Sequence, residues 1–131
     1  MIRIALISCI MLLNSPVVYA QSDQEILETV RANGTKVYLE QASWTLPESF
    51  HKSGLAPSDK KRLIEQWANA SAACLADALA KYAESSSVPL SDLVNDDGSF
   101  SLKGDGSPAD FNLNLETCIE RAWQAVGASL P

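Results

Sequence analysis

The chain has 131 residues, 47% of them hydrophobic, with three cysteines, one histidine and a formal net charge of −6. That length suits one domain with one modest core and leaves no room for two. The acidic balance argues against nucleic acid and anionic membrane surfaces as partners, because both are held by clustered cations.

Residues 1–20, MIRIALISCIMLLNSPVVYA, carry one early charge (Arg3), an apolar core from Ile4 to Leu13 and a Val18-Tyr19-Ala20 ending. This pattern predicts a signal peptide cleaved after Ala20. Its apolar core is about ten residues, and a bilayer span needs about twenty. The expected product, residues 21–131, is a single exported helical domain with no membrane insertion, periplasmic in a bacterium and extracellular otherwise. Cleavage removes Arg3 and Cys9, leaving a more acidic chain with Cys74 and Cys118 as a pair. In an oxidising compartment the expectation is a disulfide between them. Closing a loop of about 45 residues contributes on the order of 4 kcal/mol, less any strain.

Ser22 or Asp23 can cap a first helix with Ile26, Leu27 and Val30 as its apolar stripe, and Asn33-Gly34 reads as its stop. Thr35–Ser43 fits either a strand or a helix, and the lack of a partner strand favours helix. Thr45 followed by Glu48 has the form of a capping box, which places a short helix to about Ser53. The longest run without Gly or Pro extends from Ser58 to Glu84, with Ser58 as cap. Leu63, Ile64, Trp67, Ala70, Ser71, Cys74, Leu75, Ala78, Leu79 and Tyr82 recur on it at helical spacing, enough to pack against two neighbours. Pro89 marks a stop, and residues 91–110 change to Ser, Asp, Gly and Pro. Asp97-Gly98 and Asp105-Gly106 are turn dipeptides there, compatible with a small hairpin or an irregular loop. A last helix is expected from Asn112–Asn114 to about Ser129, with Leu115, Cys118, Ile119, Ala122, Val126 and Leu130 on one face and Trp123 at its edge. Cys74 and Cys118 then both point inward, as a bond between two helices requires. The fold expected is all-α in the main: a small domain of three to five helices with one inter-helix disulfide and an acidic loop.

Residues that could carry chemistry are few. No HExxH, CxxC or GxSxG motif occurs, and a lone His51 has no evident acid or nucleophile to work with, so a solvated histidine is expected. Glu116 and Glu120 fall opposite the apolar stripe and read as surface charges. Asp92, Asp96, Asp97, Asp105 and Asp110 share the loop with Lys103 as its one cation. An EF-hand register fails on them: with Gly98 at position 6 the first ligand is Leu93, and with Gly106 there a ligand position falls on Lys103. No metal and no cofactor is therefore expected. Trp44, Trp67 and Trp123 read as core anchors, with Trp123 the one placed to reach a binding surface. Export, acidity, a disulfide and the lack of a catalytic constellation together point away from an enzyme. They point to non-covalent binding of another exported protein, a basic one by charge, in an inhibitor, immunity-type or adaptor role. Asp92, Asp96, Asp97, Asp105, Asp110 and Trp123 are the expected contacts. The alternative is an extracytoplasmic stress chaperone that exposes apolar surface as carboxylates protonate.

Overall fold

A computed structural model describes residues 22–127; the expected signal peptide and Leu130 lie outside the described residues. The elements are α1 (Asp23–Thr45), α2 (Glu48–His51), α3 (Pro57–Ser86), α4 (Leu90–Leu93) and α5 (Pro108–Gly127). The domain is mainly helical, and no β-strand occurs among the described residues.

Rows of residues four apart organise the packing. On α1, Ile26, Val30, Gly34, Ala42 and the cap residue Leu46 are buried, and Tyr38 between them is half-buried. On α3 the matching row is Leu63, Trp67, Ser71, Leu75, Leu79 and Ala83, all buried, flanked by buried Ala68, Ala72 and Ala76. Each step of four residues advances about 40° around a helix, so such rows lie oblique to the axis. Helices that interlock through them cross one another and diverge on either side of the crossing.

The crossing is at Gly34. A Cβ placed there would lie 3.1 Å from the Ala72 Cβ. Beyond this thin waist the divergence opens space at both ends, and each end holds its own core. One cluster joins Ile26 and Val30 to Leu79, Tyr82, Leu90, Leu93 and Phe111. The other joins Ala42 and Leu46 to Phe50, Leu63, Trp67 and Val126. The pairings run α1 antiparallel to α3, and α5 antiparallel to α3 as well. The Cys74–Cys118 disulfide, with Cα atoms 5.7 Å apart, ties α5 to α3 near the waist. Alanine and glycine bury little apolar area at the α1–α3 contact, and at the same level of α3 the disulfide adds a covalent tie to α5.

Several boundaries differ from the sequence expectation. α1 continues through Asn33-Gly34, because the absence of a side chain at Gly34 is what lets α3 approach. The loss in helix propensity, about 1 kcal/mol, is offset by that contact. Thr35–Ser43 is accordingly helical. Thr45 is the last residue of α1 and caps nothing; Pro47 precedes α2 with no side-chain cap. Ala56, not Ser58, is the cap of α3, and Pro57 opens the helix. The residue before a proline is driven to extended backbone and proline itself suits the first helical position, so Ala56-Pro57 sets the start. The same rule moves the start of α5 from Asn112–Asn114 to Pro108, where the Ser107 hydroxyl accepts from the Asp110 N–H at 3.2 Å. Trp44 is 71% exposed and no core anchor. Two residues past Ala42 is about 200° around the helix, away from α3, and Tyr38 packs edge-on to Trp67 in its stead. His51 is half-buried and not fully solvated: its Nε2 lies 3.2 Å from the Ala42 carbonyl oxygen, and its own carbonyl accepts from Lys60 Nζ at 2.7 Å. These bonds close the corner between α1, α2 and α3.

Candidate functional site: the acidic connection and the groove beside it

The segment between α4 and α5 is built around a four-residue turn. The Gly98 N–H donates to the Asn95 carbonyl at 3.0 Å, and the Asn95 N–H donates to the Ser99 carbonyl at 2.7 Å. Val94 and Phe100 form one antiparallel bridge, so the expected hairpin is present only as this minimal pairing. Gly98 has φ +89°, and a Cβ there would come within 2.7 Å of the Thr29 carbonyl oxygen on α1. Only glycine holds this backbone without strain while the chain lies directly against the helix. Val94, Phe100 and Leu102 pack on the first core cluster, with the Phe100 ring 5.8 Å from that of Phe111. The segment is therefore an ordered part of the domain, fixed by three apolar anchors and one glycine seat.

Its carboxylates all face solvent. Asp92 lies on α4, Asp96 and Asp97 at the turn, Asp105 in the following bend and Asp110 in the first turn of α5, all exposed. They are spread along the segment: the Asp96–Asp97 turn lies beside Thr29 and Asn33 of α1, whereas Asp110 lines a separate hollow with Lys81 and Tyr82 of α3. Asp97 Oδ1 accepts from the Ser99 hydroxyl at 2.6 Å and from the Ser99 N–H at 2.9 Å. These bonds stabilise the ionised form and hold the Asp97 carboxyl below its ordinary pKa. Trp123 is not brought to this group. It is half-buried near the far end of α5, packed on the second cluster with its ring 5.5 Å from Phe50 and nearly perpendicular to it. No three His, Cys, Asp or Glu side chains converge as a metal site among the described residues.

Beside the turn lies a groove of about 330 Å³ between α1, α3 and α5. Gly34 of α1 and Leu75 of α3 lie where the two helices meet; Val37 and Tyr38 line it from α1, and Phe100 and Leu115 from the other side. Asn33, Gln41 and Ser99 supply its polar groups. Burial raises the pKa of the Tyr38 phenol above its ordinary value, which keeps it neutral. The groove exists because the helices diverge from the Gly34 crossing and Phe100 closes only part of the gap. Sequence reasoning missed it. The four-residue row on α1 was a usable signal for the crossing, but nothing local in the sequence says that Gly98 seats on Thr29 and brings Phe100 to the opening.

No protein-family model matches the chain, and no curated protein or solved structure is significantly similar to it.

Proposed function

We propose that this chain is a small exported protein that acts without catalysis, by non-covalent binding to another exported protein of basic character, as an inhibitor, immunity-type or adaptor protein. The observation that supports this reading best is the seated acidic connection. Asp92, Asp96, Asp97, Asp105 and Asp110 are exposed along one stretch of chain in which Lys103 is the one cation, and that stretch is held by Gly98, Val94, Phe100 and Leu102. A segment whose backbone is already seated before encounter loses little entropy on binding. A segment with an excess of one sign of charge speeds association with an oppositely charged partner and discriminates against acidic ones. Asp97, held ionised by Ser99, keeps its charge under mildly acidic conditions.

The test is a pull-down from the exported fraction with tagged residues 21–131, washed at low and at high salt. The expected result is one stoichiometric partner released by salt, and retained less well by an Asp96→Asn/Asp97→Asn/Asp105→Asn variant. A heterogeneous set of clients captured more strongly at low pH would replace this reading with the chaperone alternative. A single partner held equally by wild type and variant at any salt would remove the acidic connection from the account.

A further inference from the structure

We propose that the groove between α1 and α5 is a binding site for a small, uncharged, ring-bearing molecule, a role independent of protein capture by the acidic connection. Its volume of about 330 Å³ lies at the lower end of the range for small-molecule sites, about 300–1,000 Å³. That matches a ligand of one or two fused rings. Concave sites of this kind are mostly apolar with a few placed polar groups, and this one has that composition. Leu75 and Gly34 give an apolar base, and two aromatic residues, Tyr38 and Phe100, line the groove where a ring-bearing guest can pack against them. Tyr38 is fixed by its edge-on packing against Trp67, with ring centroids 5.6 Å apart, so this wall is already in place before binding.

The charge of the ligand follows from the lining. No Asp, Glu, Lys, Arg or His lines the groove, although the protein as a whole is strongly acidic. The one titratable group is the Tyr38 phenol, neutral at ordinary pH and with its pKa raised further by burial. A charged guest would surrender its hydration with no ion to replace it, which is costly. An uncharged one has what it needs. Asn33, Val37 and Gln41 follow one another at four-residue spacing on α1, so the two amides stand about 12 Å apart along the helix with Val37 between them. Each amide offers both a donor and an acceptor to a polar substituent at the edge of a ring.

Indole, an uncharged bicycle with one N–H donor, is the probe, and indole-3-acetate is its charged counterpart. Both are titrated into the ¹⁵N-labelled, disulfide-bonded protein and followed by amide chemical shifts. Expected are saturable shifts with indole, concentrated at Gly34, Val37, Tyr38, Gln41, Leu75 and Phe100, and at least tenfold weaker binding of indole-3-acetate. Val37→Glu, which places a charge in the groove from the half-exposed side of α1, should weaken indole at least tenfold while the spectrum stays dispersed. Leu115→Asn gives a second variant with the same expected direction should Val37→Glu unfold. Shifts that never saturate, or that centre on the exposed Trp44 ring, would overturn the proposal. So would equal binding of the two probes, or undiminished indole binding by a folded variant.

Discussion

Ser71 and Ser86 each bury a hydroxyl that makes no hydrogen bond, and Ser71 is the deeper of the two. It sits in the middle of the buried row on α3, its side chain wholly inaccessible, and its hydroxyl makes no hydrogen bond. A buried hydroxyl without a partner costs roughly 1–3 kcal/mol in lost hydration. Ser71→Ala keeps the small volume and the helix, and adds helix propensity. We predict that it raises stability by about 1–2 kcal/mol in urea unfolding; a loss of stability would mean that the hydroxyl is satisfied. Asp97 shows the opposite case, a polar group whose bonds are all favourable. Its pKa is lowered in the folded protein by Ser99, so the stabilisation it gives the turn is fully present above the ordinary carboxylate value and is lost as pH falls through the lowered one. The amide signal of Ser99 should therefore hold its folded position through the range in which exposed carboxylates titrate, and move only at more acidic pH. Movement together with the other carboxylates would contradict the Asp97–Ser99 bonds.

At the scale of elements, the helices were legible in the sequence and their joints were less so. Helical periodicity identified α3 and α5, and with them the inward direction of Cys74 and Cys118, because apolar spacing alone decides which face is buried. Proline did more than mark stops: at Pro57 and Pro108 it set where helices begin, and it outweighed the apparent caps further along the chain. Gly34 misled as a stop signal because its purpose is tertiary. What a glycine does in a helix depends on what lies across from it, and Ala72 is 38 residues further on. The acidic residues of the site were visible as composition, whereas their support was not, since the seat of Gly98 on Thr29 is a contact between distant segments. The crossing can be tested directly. Gly34→Leu forces a large side chain against Ala72 and should cost about 1–3 kcal/mol, as overpacking does. It should also disturb signals of both core clusters, because both hang from the same waist. An unchanged unfolding midpoint would show that α1 and α3 do not touch there.

Over the whole molecule, stability is divided between two apolar clusters joined by a waist that buries little. The disulfide lies beside this waist and closes a span of 44 residues from Cys74 to Cys118. A Cys74→Ala/Cys118→Ala variant should lose about 2–4 kcal/mol, and α5 should be the element whose amides lose exchange protection first, because the bond adds a covalent tie to the apolar contacts of Phe111 and Val126 with α3. Uniform loss across all helices would contradict that role. Among the described residues no helix is long and apolar enough to cross a membrane, and a disulfide is a bond that persists in oxidising compartments. In the function proposed above, the acidic connection is the surface that the partner meets. Exposed ion pairs contribute roughly 0.2–1 kcal/mol each, so neutralising three of them should reduce affinity by about tenfold. The most direct measurement is the dissociation constant of the captured partner for wild type and for Asp96→Asn/Asp97→Asn/Asp105→Asn, by calorimetry at low and at high salt. Asparagine keeps the acceptor oxygen that Ser99 uses, so the turn is preserved while its charge is removed. Expected is about tenfold weaker binding of the variant at low salt and convergence of the two proteins at high salt; equal affinity at low salt would contradict a charge-driven contact at the acidic connection.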